Sequence, residues 1–544
     1  MSDAGTGLAL RAAGPLAPLQ RGALWVSGLG GWRRHGLAML LGALAAAALS
    51  PVDLVPALVV SFSGLVWLAD GSLSRRDAAL LGWSFGFGFF VAGLYWVAAA
   101  LFVDIASFWW LVPFAVVALP AGLALFPAAA LLVAYEATRR LHLAGTARIL
   151  LLAVAWGAAE WLRGHILTGF PWNLVGYAWA GAFPGALAVL QSTAVFGIYG
   201  LSLLTVAAAA LPARLGDFEG ARLWALVAAL VLIAAPAAFG GARLWHAPHD
   251  AVVGVRLRLV QPSIAQTIKN EPSALRANFE RLLALSGEPG PVAPTAVIWP
   301  EAAAPPLLER ADREGARDAM ATIVPKGGVL LTGTERAVPL TGPIDRIWNS
   351  LVALDDQGRI IAQYDKAHLV PFGEYVPARQ FLPIDKITPG TLDFSAGPGP
   401  RTLAVPGLPP FSPLICFEAI YPGAVIDPAA RPQWLLEITN DAWFGLTSGP
   451  FQHLAMARVR AVEEGLPLVR SANNGVSAVF DAYGRVVSRL DLDAIGVLDT
   501  ALPAALAPTP YEQVREGVFF ALSLLTLAVL GIISRFNDQS FRRY

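Results

Sequence analysis

Three residues of different chemistry close three apolar runs. Glu301 ends "AVIWPE", Lys366 ends "IAQYDK", and Cys416 ends "SPLIC". Cys416 is the only cysteine among 544 residues. A thiol has a pKa of about 8.5 and attacks as its thiolate, so a cysteine nucleophile needs a base for its proton and a cation for the charge that develops. A carboxylate and an ammonium can fill those two roles. The chain holds four lysines against 35 arginines, so Lys366 departs from its default cation. The compact ammonium can approach an oxyanion more closely than a guanidinium can. Viewed alone, a single cysteine reads equally as a small buried hydrophobe. Glu374 in "HLVPFGEYVP" and Glu418 in "ICFEAIYP" add two acids to the set. His368 shares a face with Lys366 if the strand continues, which leaves a Cys–His dyad open. His453, at the start of a helical stretch, reads as structural or as a loop anchor.

These residues fall in a stretch where strand and helix patterns alternate. "VGVRLRLVQ", "PTAVIWPE", "GGVLLTGTE", "NSLVALDDQGRIIAQYDK", "SPLICFE", "WLLEITND", "PLVRSANNG" and "VSAVFDAYGRVVSRL" read as strands or hairpins. Residues 271–286, 305–324 and 450–465 read as helices. The expected class is an α/β layered domain, with the reactive groups at strand ends, where a rigid sheet holds the backbone and loops leave room for substrate.

The rest of the chain is different material. Hydrophobic residues make up 56% of the sequence and charged residues only 14%, against roughly 25% charged in a soluble domain. A helix needs roughly 20 apolar residues to cross a bilayer. Eight spans are expected, near 36–50, 53–70, 78–100, 109–135, 147–163, 187–211, 222–243 and 517–534. Arginines flank alternate ends of these segments: Arg33 and Arg34, Arg75 and Arg76, Arg139, Arg140 and Arg148, Arg214 and Arg222, then Arg535, Arg542 and Arg543. Positive charge collects on the cytoplasmic side. Both termini are therefore expected in the cytoplasm and the α/β domain outside it. The first span reads as an uncleaved anchor.

The expected organisation is a cytoplasmic segment over 1–35, a seven-span bundle over 36–245, the outer domain over 246–510, and a closing span with a cytoplasmic tail over 511–544. A net formal charge of zero gives no footprint for nucleic acid. Within the bundle, Glu160 and Arg163 lie three apart on one helical face, as a neutralising pair or a contact to a lipid head group. The following "TGFPWNLVGYAWAGAFPG" is too rich in Gly and Pro for plain helix, and suits an interfacial loop or a re-entrant segment.

Glu, Lys and Cys in this order, on three strand ends, resemble the nitrilase superfamily of carbon–nitrogen hydrolases, whose fold is an αββα sandwich. "IWPEAA", "KAHLVPFGEYVP", "ICFEAIYP", "ITNDAWFG", "GPFQHLAMARVRAVEEGLPLVRSANNGVSAV" and "TGFPWNLVGY" look more narrowly like the apolipoprotein N-acyltransferase family. The resemblance covers nearly the whole chain.

It implies Glu301 as general base, Cys416 as nucleophile, and Lys366 with the Phe417 N–H at the oxyanion. Glu374 and Glu418 would support them, and Asn349, Trp443 and Phe444 would touch substrate. The implied reaction passes an acyl group from a phospholipid to the N-terminal diacylglyceryl-cysteine of an apolipoprotein, through a thioacyl enzyme, at the periplasmic face of a bacterial inner membrane. Neither cofactor nor metal is implied, and a monomer is expected. The sequence departs from the family where Phe417 replaces a tyrosine found in many members, and where Asn270 stands in place of a tryptophan. A membrane-tethered amidase is the alternative enzyme, and a transporter or scaffold the non-enzymatic alternative.

Overall fold

The computed structural model describes residues 16–541 apart from 218–221, 270, 382–383, 389 and 391. Asn270, Arg542 and Arg543 lie outside the described residues. The chain divides into two compact units. One comprises the residues up to Tyr95, Trp110–Trp245 and the residues from Val514 onward. The other comprises Trp96–Trp109 and His246–Gln513.

All eight apolar segments read from the sequence are helical in large part. Among the described residues, five helices have the length and apolarity to cross a membrane: Arg75–Leu111, Phe114–Arg140, Thr193–Gly216, Arg222–Trp245 and Gly517–Arg535. The chain is a membrane protein. Gly31–Ala46 and Ala57–Asp70 are shorter, at 16 and 14 residues. Thr146–His165 has the length but carries Arg148, Glu160 and Arg163.

Small residues let these helices meet backbone to backbone. A Cβ on Gly42 would lie 1.9 Å from the Phe85 carbonyl oxygen, and one on Gly88 would lie 2.0 Å from that of Met39. Such contacts are how helices associate where lipid removes the hydrophobic drive. Glu160 and Arg163 are buried, and each turns to the backbone of the Gly/Pro-rich stretch. Glu160 accepts from the Trp156 indole N–H at 3.1 Å and the Val175 N–H at 3.0 Å. Arg163 donates to the carbonyls of Phe170 at 2.7 Å and Trp172 at 2.6 Å. The stretch forms a short 3-10 helix, Val175–Ala180, rather than an α-helix, and the two side chains satisfy backbone groups that irregular structure leaves open.

The second unit holds two sheets. The first runs in the order β11-β1-β2-β3-β4-β5 and the second β10-β9-β8-β7-β6. The first comprises β1 (Ala251–Gln261), β2 (Ala296–Ile298), β3 (Val329–Val338), β4 (Arg346–Asp355), β5 (Ile360–Asp365) and β11 (Gly496–Pro503). The second comprises β6 (Phe411–Ile415), β7 (Trp434–Thr439), β8 (Leu468–Ala472), β9 (Ser477–Phe480) and β10 (Val486–Leu490).

Leu257, Leu259, Ile298, Leu331 and Leu351 of the first sheet share one core with Ile415, Leu436, Ile438 and Val469 of the second. The opposite face of the first sheet is covered by Leu282 and Leu285 of helix Pro272–Ser286 and by Met320. That of the second sheet is covered by Ala457 and Ala461 of helix Gly449–Glu464. Strands buried on both faces read as continuous apolar runs, which is why "AVI" and "WLLEIT" show no alternation. The layers are therefore helix, sheet, sheet, helix.

Two expectations change here. The helix expected over 305–324 is confined to Glu314–Ala321 with a 3-10 turn before it, because the preceding segment bonds to β3 instead, Leu307 N–H to the Glu335 carbonyl at 2.9 Å and Thr334 Oγ1 to the Pro305 carbonyl at 2.8 Å. The span expected over 78–100 is helical throughout, but its α-helix ends at Leu94 and gives way to the 3-10 helix Tyr95–Asp104. Trp96 instead belongs to the second unit, its indole N–H donating to Gln452 Oε1 at 3.0 Å and its ring meeting Phe444 edge-on at 4.6 Å. Aromatic, uncharged sequence serves a span and a domain core equally well, so composition does not separate them. Strand β11 was absent from the sequence reading. It pairs antiparallel with β1 across some 240 residues, Leu259 opposite Leu498.

Candidate active site

Each candidate side chain stands just beyond a strand. Glu301 follows β2, Lys366 follows β5, and Cys416 follows β6. Cys416 has a φ of +52°, a left-handed conformation that costs a non-glycine residue free energy and commonly marks a functional turn. The chain passes at once into the 3-10 helix Cys416–Ile420. Glu301, Lys366, Glu374, Cys416, Phe417 and Glu418 are all buried.

Lys366 lies 3.0 Å from Glu374 and 3.6 Å from Glu301 Oε1. Asn349, in β4, donates from Nδ2 to both carboxylates, at 2.7 Å to Glu301 Oε1 and 2.9 Å to Glu374 Oε1. Glu374 also accepts from the Val370 N–H at 2.8 Å, which ties its loop to the site. Burial disfavours the Lys366 ammonium, but the charges of Glu374 and Glu301 outweigh it and hold the group protonated, its pKa raised. Burial pushes the Cys416 thiol well above its ordinary value. The Glu301 charge pushes the same way, while the Lys366 charge and a Thr439 hydrogen bond oppose them. The resting thiol is thus protonated, with Glu301 and Lys366 both within electrostatic reach.

Glu418 is a tie rather than a free acid. Its Oε1 accepts from Tyr364 Oη at 2.7 Å, Ala367 N at 2.7 Å and His368 N at 3.2 Å, and its Oε2 accepts from Ile415 N at 2.8 Å. One carboxylate therefore links the Tyr364 side chain and the backbone just after Lys366 to the strand that ends in Cys416. Burial raises its pKa, and the hydrogen bonds from Tyr364, Ile415 and Ala367 counter that.

Beneath the nucleophile lies a second network that the sequence reading did not assemble. His453 Nε2 donates to the Cys416 carbonyl oxygen at 3.1 Å and its Nδ1 meets Asp441 Oδ1 at 2.9 Å. Arg470 bonds Asp441 Oδ2 at 2.6 Å and also bonds Glu437. All four side chains are buried. Burial alone would raise the Asp441 pKa, but Arg470 and His453 lower it to about 2. Donor atoms of Cys416, Asp441 and His453 lie within 4.8 Å of one another, a spacing that could hold a metal ion. Arg470 already occupies Asp441, so these residues form an ion-pair network. With Nε2 donating to a carbonyl, His453 offers no lone pair there for the thiol. His368 stacks on Tyr421 at 4.3 Å, and burial lowers its pKa.

Trp443 and Phe444 are half-buried in the 3-10 helix Asp441–Phe444, which follows β7. Phe444 packs between Trp96 and His453, 5.8 Å from the latter. Phe417 meets Tyr421 edge-on at 5.4 Å. The signal for the lower network is present in "WLLEIT" and "PLVRSANN", where Glu437 and Arg470 are charged residues inside strands too apolar to expose them.

Residues 41–211 match the family described as the apolipoprotein N-acyltransferase N-terminal domain, and residues 256–511 match the carbon–nitrogen hydrolase family, which gives the second unit its nitrilase-superfamily fold. A solved variant of the Nesterenkonia AN1 amidase, from the nitrilase superfamily, is 19% identical and covers 51% of this chain and 98% of its own, with a TM-score of 0.36. A protein of Rhodopseudomonas palustris named apolipoprotein N-acyltransferase is 45% identical over 527 residues, 93% of this chain and 96% of its own. Namesakes from Bradyrhizobium diazoefficiens and Brucella melitensis are each 44% identical over 93% of this chain, and over 95% and 96% of their own. With such similarity along nearly its whole length, the chain belongs to the apolipoprotein N-acyltransferase family.

Proposed function

We propose that this protein transfers an acyl group from a membrane phospholipid to the α-amine of the N-terminal diacylglyceryl-cysteine of apolipoproteins. The observation that carries the reading is the grouping of a protonated thiol, a carboxylate and a charged lysine in one buried site of a membrane protein.

In the first half-reaction the Cys416 sulfur attacks the ester carbonyl as its proton passes to Glu301. Lys366 and the Phe417 N–H receive the oxyanion, a form of stabilisation worth several kcal/mol when the donors are fixed in advance. The carbon–oxygen bond breaks, Glu301 protonates the departing lysophospholipid, and a thioester remains. In the second half-reaction the acceptor amine attacks the thioester, Glu301 takes its proton, and collapse returns that proton to sulfur as the amide forms. A thioester is more reactive toward amines than an oxygen ester, so one difficult exchange becomes two easier ones.

Glu374 and Asn349 hold Lys366 and Glu301 in register. Trp443 and Phe444 line the approach of the lipid, and Asn349 borders the substrate. The domain works on the periplasmic face of a bacterial inner membrane that the chain crosses eight times, with both termini in the cytoplasm, as a monomer. This arrangement follows from the arginine pattern and suits two lipid-anchored substrates.

The test is mass spectrometry of the purified protein after exposure to phospholipid without acceptor. A fatty-acyl mass on Cys416, removed by neutral hydroxylamine and absent in Glu301→Gln, is the expected result. A catalytically active protein that never carries an acyl group would overturn the reading.

A further inference from the structure

Of the four lysines in the chain, a second one lies at this site. Lys269 ends the short helix Gln266–Lys269, and the residue is 8% exposed. Its Nζ donates to the main-chain carbonyl of Glu301 at 2.9 Å. The segment that carries it is anchored at its other end by a chain of buried amides. Asn440, just past β7, donates to Gln266 Oε1 at 2.7 Å. Asn473, just past β8, donates to Asn440 Oδ1 at 2.9 Å and to the Ile264 carbonyl at 2.7 Å. Residues 264–269 therefore bridge the strand ends of the second sheet to Glu301 at the end of β2.

Glu301 needs such a hold. The next residue, Ala302, has a φ of +48°. Gly333 of β3 passes so near that a Cβ there would lie 2.7 Å from the Glu301 Cα. β3 secures the turn through Ala303 N–H and Ala304 N–H, each 3.0 Å from the Gly333 carbonyl, and Lys269 secures the Glu301 carbonyl itself. The charged and titratable groups that face Lys269 are Glu301, Glu335 and Cys416. Burial lowers its pKa to about 8, against the opposing pull of Glu301 and Glu335.

We infer that Lys269 is a positioning residue for the general base: it clamps the Glu301 main chain and adds a second positive charge to the site where the oxyanion forms. This rests on the role given to Glu301 above. A buried ammonium is costly unless it is used, and an apolar residue of similar length would fill the same space without that cost.

The test is the single-turnover rate of thioacyl formation on Cys416 by the full-length protein in phospholipid nanodiscs, between pH 6.5 and 9.5. Wild type, Lys269→Met and Lys269→Arg are compared, with melting temperatures alongside. Lys269→Met is expected to acylate at least about tenfold more slowly at pH 7 while melting within a few degrees of wild type. Wild type loses rate as pH rises through about 8, where the ammonium loses its charge. Lys269→Arg keeps most of the rate and lacks that limb, because a guanidinium stays charged. A methionine variant within twofold of wild type, or an arginine variant with the same basic limb as wild type, overturns the inference. If the methionine variant does not fold, the arginine profile decides alone. Wild type that forms no thioacyl adduct overturns the proposed function instead.

Discussion

His453 Nε2 stands 3.1 Å from the carbonyl oxygen of Cys416, so the strained residue that carries the thiol is gripped by its own backbone from below. The grip is relayed through Asp441 to Arg470 and Glu437, all buried. Removing His453 frees the Cys416 carbonyl and leaves Asp441 with one fewer partner. His453→Ala should slow thioacyl formation by about 10- to 100-fold and lower the melting temperature. His453→Gln, which can still donate to the carbonyl, should recover part of the rate. Single-turnover kinetics on both variants measure this, and equal rates for the two would remove the positioning role.

Arg470 pairs with both Glu437 and Asp441 in a fully buried setting. Arg470→Met takes the guanidinium away from two buried carboxylates and should cost about 3–5 kcal/mol of stability. The Asp441 pKa, at about 2, lies below its ordinary value. A lowered native value stabilises the fold above the ordinary carboxylate pKa, and that stability is lost as pH falls from about 4 toward about 2. Acid unfolding followed by circular dichroism should show this segment in wild type and lack it in Arg470→Met.

The thiol itself can be titrated by its reaction with iodoacetamide. Glu301 raises the Cys416 pKa and Lys366 lowers it. Glu301→Gln should therefore alkylate faster than wild type at pH 8, although it no longer forms the thioacyl enzyme. Lys366→Met should alkylate more slowly. The same rate in all three proteins would mean that neither charge reaches the sulfur.

Asn349 separates the carboxylates of Glu301 and Glu374 by donating to both. Asn349→Asp replaces the donor with a third acid and should cut acylation at least about 100-fold. Asn349→Gln keeps the amide but displaces it by one methylene. The rate should fall further for Asp than for Gln, and the reverse order would argue that volume, not charge, decides.

Glu418 accepts four hydrogen bonds from both sides of the site. Glu418→Gln turns one acceptor oxygen into a donor facing backbone N–H groups. It should destabilise the protein by about 1–3 kcal/mol, seen as a lower melting temperature, and lower the acylation rate with it. A variant of unchanged stability and rate would reduce Glu418 to a passive core residue.

The sequence by itself determined the division into apolar helices and an α/β domain, because hydrophobic periodicity and charge density are local properties. It also marked Glu301, Lys366 and Cys416, since a reactive residue that closes an apolar run is visible wherever it occurs. Tertiary structure alone decided what those residues touch. Glu301 and Asn349 are 48 positions apart, Cys416 and His453 are 37, and Lys269 and Glu301 are 32. No local pattern encodes which strand ends converge once two sheets pack face to face.

The same limit explains Trp96, whose aromatic surroundings read as a span although its partners Gln452 and Phe444 lie some 350 positions away in the same unit. It explains β11 as well, a strand held by pairing with β1 rather than by any pattern of its own. Glu437, Asp441 and Arg470 are charged residues at zero or near-zero exposure. They are affordable only because each finds its counter-charge across the fold, and that pairing exists only in three dimensions.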